Sequence, residues 1–351
     1  MAHQAATAPQ SPAPQPAHAA PVRPGDPRRW ARHTYGALDL GTNNCRLLVA
    51  RPADDGFVVV DAFSRVVRLG VGLAASGRIS DAAIERALGA LSICADKLRR
   101  RKVSIARSVA TEACRRAVNG RDFVGRVHRE TGIALDIIAP EEEARLAMLG
   151  CHRLLEPGDG PALIFDIGGG STELVLVDTD GDEIPRIKSW WSAPWGVVSL
   201  TESEARDHQT ADERVAAFGR MRERVRHAFR RFAELLPASK ENIRLMGTSG
   251  TVTTLASVHL ALPSYDRRAV DGLMVPATSM REISRMMSGM SLQERAALPC
   301  IGLERADLVV AGCAILDAIM DIWPAQTLGV ADRGIREGIL RSLMARDGHK
   351  I

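Results

Sequence analysis

The chain has six cysteines, at positions 45, 94, 114, 151, 300 and 313, and no Cys-x-x-Cys pair among them. That scatter argues against a disulfide framework or a thiolate zinc site, and a reducing cytoplasm is the expected compartment. Long apolar runs are lacking too. The longest, Leu308 to Leu316, is too short to span a bilayer and is followed by Asp317. The N-terminus has no basic start with an apolar block behind it, so no secretory leader is expected. Neither sign of charge dominates: 46 Lys and Arg stand against 42 Asp and Glu, a formal net charge of +4. That balance suits an anionic substrate without pointing to nucleic acid, and neither a nucleic-acid nor a membrane partner is expected. Residues 1–33 are rich in Ala, Pro and Gln, lack any strand or helix period, and are expected to form a disordered tail.

What is present centres on Phe165-Asp166-Ile167-Gly168-Gly169-Gly170-Ser171-Thr172-Glu173-Leu174. Ala162-Leu163-Ile164 precedes it and Leu174-Val175-Leu176-Val177 closes it, so the stretch reads as strand, glycine turn, strand. Successive glycines leave backbone amides unshielded. Amide concavities of this kind suit anions, phosphate above all. Asp166 at the mouth of the turn would repel a phosphate unless a cation lay between them, which suggests Mg²⁺. An ordinary Gly-rich hairpin is the competing reading of this stretch alone. A second copy favours the phosphate loop. Ala37-Leu38-Asp39-Leu40-Gly41-Thr42-Asn43-Asn44-Cys45-Arg46-Leu47 aligns without gaps, placing Asp39 on Asp166, Gly41 on Gly168 and Leu47 on Leu174. Two half-molecules, each with a phosphate loop, can face one another across a cleft.

The remaining elements follow from period and caps. Strands are expected at 35–40, 45–51 and 56–67, as a meander, then at 103–110 and 134–138. Ser80 reads as the N-cap of a helix ending in Arg99-Arg100-Arg101-Lys102, where cations complement the dipole. Arg115 or Arg116 follows the strand at 103–110 and could face the cleft, where a guanidinium fork matches phosphate oxygens. Two surface arginines are the plainer alternative. Pro140 opens a helix with Glu141, Glu142 and Glu143 in its first turn. By pattern these are capping charges, but Glu143, spaced helically from Ala147 and Gly150, leans to the inner side. The cluster Trp190, Trp191 and Trp195 reads as strand-edge core rather than a base-stacking platform. A long amphipathic helix at 211–236 carries six arginines, read as a solvated face, with a polyanion track as the alternative. Ile243-Arg244-Leu245-Met246 runs into Gly247-Thr248-Ser249-Gly250-Thr251, a third candidate anion loop with a helix start behind it. Helices are expected at 279–290, 292–297 and 304–320, a strand at 326–330 and a closing helix at 334–346.

Taken in order, these blocks resemble the exopolyphosphatase / guanosine pentaphosphate phosphohydrolase family, from about Tyr35 to Arg346. The resemblance rests on Asp39 to Asn43, Thr111-x-Ala113-x-Arg115-x-Ala117-x-Asn119, Glu142-Glu143-Ala144-Arg145, Asp166 to Glu173, Gly247 to Thr251 and Arg336-Glu337-Gly338. It implies a two-lobed α/β fold of the actin-like, sugar-kinase-like (ribonuclease H-like) class, with duplicated mixed sheets flanked by helices. The lobes would span 34–140 and 141–346, the closing helix packing back on the first. It implies a short form of the family without the C-terminal helical module. It assigns catalysis to Glu143, which would activate water, and to Arg115. Metal, Mg²⁺ or alternatively Mn²⁺, would be held by Asp166, Glu173 and Asp39. Phosphate would be held by Thr42, Asn43, Asn44, Cys45 and Arg46, by Gly168, Gly169, Gly170, Ser171 and Thr172, and by Gly247, Ser249, Gly250 and Thr251.

The activity so implied is Mg²⁺-dependent removal of the terminal phosphate of polyphosphate, by a cytoplasmic homodimer. Cleavage of guanosine pentaphosphate to tetraphosphate is the nearest alternative, since the same loops would hold either phosphate tail. A kinase or chaperone-type ATPase of the same fold would need an adenosine pocket near the third loop. A non-catalytic sensor of guanosine tetraphosphate or polyphosphate would have no need of the carboxylates.

Overall fold

The computed structural model describes residues 33–349, apart from 55, 156–159, 181–183, 205–209 and 236–242. Apart from His33, the tail expected over 1–33 lies outside the described residues. The first sheet contains β1 (Tyr35–Leu40), β2 (Asn44–Ala53), β3 (Gly56–Val66), β4 (Ile105–Ala110) and β5 (Leu135–Ile137), in the order β3-β2-β1-β4-β5. The second contains β6 (Ala162–Ile167), β7 (Thr172–Asp178), β8 (Arg186–Ala193), β9 (Arg244–Thr248), β10 (Met274–Pro276) and β11 (Thr327–Ala331), in the order β8-β7-β6-β9-β11-β10. Each sheet begins with an antiparallel meander of three strands and adds two parallel strands on the far side of its first strand. The duplication read from the aspartates is thus a duplication of whole sheets. β10 is extra, a three-residue edge strand closed by Pro276, which has no N–H with which to extend pairing.

Both first strands are largely apolar runs because helices cover both of their faces. One face of the first sheet packs on the helix Asp81–Arg100, whose N-cap Ser80 accepts from the Ala83 amide as expected. The second lobe's core is larger. It joins Phe165 and Leu245 of the sheet to Phe229 and Phe232 of the helix Ala211–Leu235 and to Trp323. Most of that helix's cations are neutralised: Arg220 and Arg224 pair with Glu204, Arg222 with Asp321, and Arg226 and Arg230 with Glu223. This agrees with the solvated-face reading, not with a polyanion track. The helix expected at 304–320 is two helices, Leu303–Ala306 and Val309–Ile322. The break falls at Asp307, whose carboxylate reaches across to Arg68 of the first lobe at 2.8 Å.

The helix Pro140–Cys151 lies between the sheets. Leu146 and Ala147 join a cluster with Tyr35, Ala37 and Leu48 of the first sheet. Ala144, Met148 and Cys151 join a cluster with Ile164 and Val175 of the second. Its floor is the closing helix Ile335–Arg346, which contributes Ile339, Leu340 and Met344 to the first of these clusters. The two helices approach until backbone meets backbone. A Cβ at Gly338 would lie 2.0 Å from the Leu146 carbonyl oxygen, and one at Gly150 would lie 2.1 Å from that of Gly334. Only glycine fits either place. Replacing Gly338 with Ala is therefore expected to cost about 1–3 kcal/mol by overpacking and to displace Glu143, which lies one turn before Leu146 on the facing helix. Denaturant unfolding checks the first effect. An unchanged midpoint would contradict the close approach.

Candidate active site

The two aspartate loops have the same internal geometry. Gly41 donates its amide to the Asn44 carbonyl at 2.9 Å, and Gly168 donates to that of Ser171 at 3.0 Å, at equivalent positions of the repeat. The loops do not merely face one another; they touch. A Cβ at Gly169 would fall 2.9 Å from the Cβ of Thr42 and 3.1 Å from the Asn43 amide nitrogen. The third loop closes the same cavity, about 130 Å³ in volume, whose wall includes Asp39, Asn43, Glu143, Asp166, Glu173 and Arg305. Ser249 has φ 103° and ψ 171°, a region occupied almost only by glycine, and its hydroxyl is buried with no partner among the described residues. A strained residue aiming an unsatisfied hydroxyl into a cavity fits a group kept for a ligand.

Four carboxylates enter this space. Burial, then Asp39, pushes Asp166 up to about 6, against the pull of Arg46. Burial, then Asp166, pushes Glu173 up to about 7, although Ser192 donates to it at 2.8 Å. Asp39 is raised by burial and held back by Arg46 and Arg336. Glu143 is raised well above the carboxylate range by burial and then by Glu173, with Arg115 opposing. Every member is strained by desolvation, and its neighbours add repulsion.

Glu143 is only 5% exposed, and its setting is specific. Both terminal nitrogens of Arg115 donate to its Oε2 at 3.1 Å, while Oε1 accepts no bond from the described residues. Arg115 also gives Nε and Nη2 to Glu112 Oε2, at 3.0 and 2.7 Å, and Nη1 to the Ile138 carbonyl at 2.6 Å. All five of its N–H donors are thereby used. Glu142, in contrast, points outward to Arg107 and Arg145, the capping charge that the pattern suggested.

Of the residues expected at the site, Asp39, Thr42, Asn43, Asn44, Arg46, Glu143, Asp166, Gly168, Gly169, Gly170, Ser171, Glu173, Ser249, Gly250 and Thr251 line the cavity. Four do not. The Cys45 thiol faces the first core, 4.0 Å from Cys94, because alternation along β2 sends it away from Arg46. The Thr172 hydroxyl donates to the Trp195 carbonyl, on the opposite face from Glu173. Gly247 serves packing: a Cβ there would meet the Phe165 ring at 2.7 Å. Arg115 stands behind Glu143 with no donor left for phosphate. Sequence reasoning missed Arg305 and Thr254 in the wall and Glu112 behind Arg115. Glu112 lies three residues before Arg115, a helical spacing that could have suggested the pair.

Among the described residues no three acidic, His or Cys side chains form a cage for a metal ion. Mg²⁺ seldom uses such a cage; it takes one or two carboxylates and completes its shell with water and substrate phosphate. Asp39 and Asp166 are hard oxygen donors beside the phosphate loops, and Asp39 Oδ1 is buried without a partner. These residues fit that ion.

A two-lobed α/β protein with paired acidic glycine loops over one cleft belongs to the class that handles phosphoanhydrides. The comparisons narrow this. The profile of the Ppx/GppA phosphatase family matches residues 48–347, and the chain belongs to that family. Exopolyphosphatase 2 of Mycobacterium tuberculosis is 32% identical over 321 residues, covering 88% of this chain and 97% of that protein. The crystal structure of the Aquifex aeolicus family member superposes with a TM-score of 0.74 at 28% identity, over 91% of this chain and 99% of that one. An exopolyphosphatase from Cytophaga hutchinsonii, 23% identical, shares the fold with a TM-score of 0.79, over 91% and 99% of the two chains.

The raised carboxylates set a pH dependence. Folded Asp166 and Glu173 hold protons that the unfolded chain has already released, so their contribution is full below the unfolded values and lost as pH rises through about 6 to 7. In chelator, Tm is expected to fall between about pH 5 and pH 8, by roughly 3 kcal/mol of stability per group at most. Mg²⁺ should restore more at the upper end, where the ligands are deprotonated. A melting curve in chelator that is flat or rises over this range would remove the case for a cation-demanding cluster.

Proposed function

We propose that the protein is an exopolyphosphatase, which hydrolyses the terminal phosphoanhydride of inorganic polyphosphate and releases orthophosphate. One observation carries this reading: Glu143 has one carboxylate oxygen clamped by Arg115 and the other open to a cavity walled by two phosphate loops. That is the arrangement needed to orient a water and take its proton. A base with a raised pKa does so efficiently near neutral pH. The amides of Gly169, Gly170 and Ser171 and of Asn43 and Asn44 would hold the terminal phosphoryl oxygens, with Arg46 and Arg305 neutralising charge across the cleft. Mg²⁺, bound by Asp39 and Asp166 with Glu173 beside them, would supply the remaining charge neutralisation. Arg115 acts through Glu143 as a positioning residue. The name of the mycobacterial relative supports the same substrate.

Guanosine pentaphosphate is the second reading, supported by the family's description, which joins the two activities. Both substrates present the same phosphate tail to these loops. Orthophosphate release measured with Mg²⁺, on polyphosphates of several lengths and on guanosine pentaphosphate at equal terminal-phosphate concentration, separates them. Faster release from the nucleotide would replace the first reading with the second.

Glu143→Gln keeps the shape and the contact with Arg115 but cannot accept a proton. Its kcat is expected to drop by about 10²–10⁴-fold, with substrate affinity retained. Turnover within a few fold of the wild type would show that Glu143 is not the base.

A further inference from the structure

Two larger spaces open beyond the catalytic cavity, and a phosphate chain whose end is held there can continue into either of them. The first, about 530 Å³, is bordered by Arg68, Glu202, Glu204, Arg295 and Asp307. Its charges are committed. Arg68 pairs with Asp307, Glu204 with Arg220 and Arg224, Glu202 accepts the Gly72 amide, Arg295 donates to the carbonyls of Met290 and Ala306, and Arg214, also in this wall, donates to that of Gly289. A polyanion entering here would have to displace ion pairs or backbone hydrogen bonds to find a cation.

The second, about 290 Å³, shares Arg46, Asp166, Ser249, Gly250 and Arg305 with the catalytic cavity and continues past Arg336. Besides the shared Asp166, its acids are occupied: Asp332 and Glu337 pair with Arg267. Its cations differ. Arg305 makes one hydrogen bond, to Thr254, and Arg333 pairs with Asp271. Arg46 and Arg336 donate no hydrogen bond and form no ion pair among the described residues, though both act on Asp39 across the wall. Each is partly buried. Burial and Arg336 together draw the Arg46 guanidinium below its ordinary range, the signature of two like charges held close in a poorly solvated place. The buried, unpartnered Ser249 hydroxyl stands in the shared wall. Partly buried guanidiniums with open N–H forks are costly unless an anion takes them up.

We propose that Arg336, with Arg46 and Arg305, forms a subsite for the phosphates behind the scissile one, and that the phosphate chain leaves the cleft through this second space. The inference rests on the phosphoanhydride reading above, and it makes Arg336 a determinant of chain-length preference. Linear polyphosphate and the phosphate tail of a guanosine nucleotide share the chemistry that the subsite recognises.

The test is direct binding in the Glu143→Gln background, which removes turnover, using pyrophosphate, a long-chain polyphosphate and guanosine pentaphosphate. Adding Arg336→Gln is expected to raise Kd for long-chain polyphosphate by about 10-fold or more and to leave pyrophosphate nearly unchanged. Arg336→Lys should recover part of the loss, since it restores the charge without the fork. Ser64 is exposed on β3, directly across from Arg46 in register, and lines the same space. Ser64→Glu leaves the core untouched and should weaken long-chain binding by competing for Arg46. Arg68→Gln, in the other space, should have no such effect. Unchanged long-chain binding in both the Arg336→Gln and Ser64→Glu proteins, or a loss on Arg68→Gln instead, would overturn the proposal. A loss confined to guanosine pentaphosphate would overturn its polyphosphate form. Wild-type turnover is read separately: no release from either substrate, with the binding differences intact, would sink the proposed function and leave the anion subsite standing.

Discussion

The constraint on which this structure turns is charge repulsion in a place with little water. Asp39, Asp166, Glu173 and Glu143 are brought into one cleft, and among the described residues none of the first three has an arginine bonded directly to it. Left alone, such a cluster would drive the cleft apart or take up protons. The chain tolerates it because Arg46, Arg305 and Arg336 stand close by and because the backbone leaves the four little freedom to separate. A cation and a phosphate chain, arriving together, would complete the balance. The strain among the carboxylates is then the complement of the charge on the ligand.

Holding the carboxylates in place is the work of the fold. Three of the four sit on the sheets, at the mouths of the duplicated turns or beside them. Glu143 alone is carried by a helix, and that helix is pinned on two sides by the two sheets and from below by the closing helix. Arg115 and Glu112 then fix the side chain, so that its position is set by packing before any substrate arrives. Glycine is required where these parts meet: at Gly169 the loops touch, and at Gly150 and Gly338 the helices do.

Much of this was legible in the residues. The gapless match of Asp39 on Asp166 announced the duplication, because a strand-turn-strand unit keeps its length when copied. Pro140 and Ser80 marked helix starts since each meets a definite need of the first turn. The failures have physical causes. Cys45 and Arg46 were both assigned to phosphate, although neighbours on a strand face opposite ways; the same holds for Thr172 and Glu173. Gly247 looked like part of a loop because small residues surround it, whereas it makes room for Phe165. Arg305 could not be read at all: no local motif marks it, and only the tertiary fold carries it to a cleft built by residues far away in the chain. Arg115 was placed correctly in the neighbourhood but not in its task, since the partners of a guanidinium depend on geometry that no spacing encodes.

The closing helix has a consequence in time. A polypeptide is made from its N-terminus, and domains fold as they emerge. A chain still on the ribosome carries both aspartate loops and all four carboxylates well before it carries Ile339, Leu340 and Met344. Until those residues appear, the helix bearing Glu143 has no floor, and its carboxylate has no fixed address. Hydrolytic competence is thus acquired only after the closing helix has emerged, and a chain cut short before that helix would be silent.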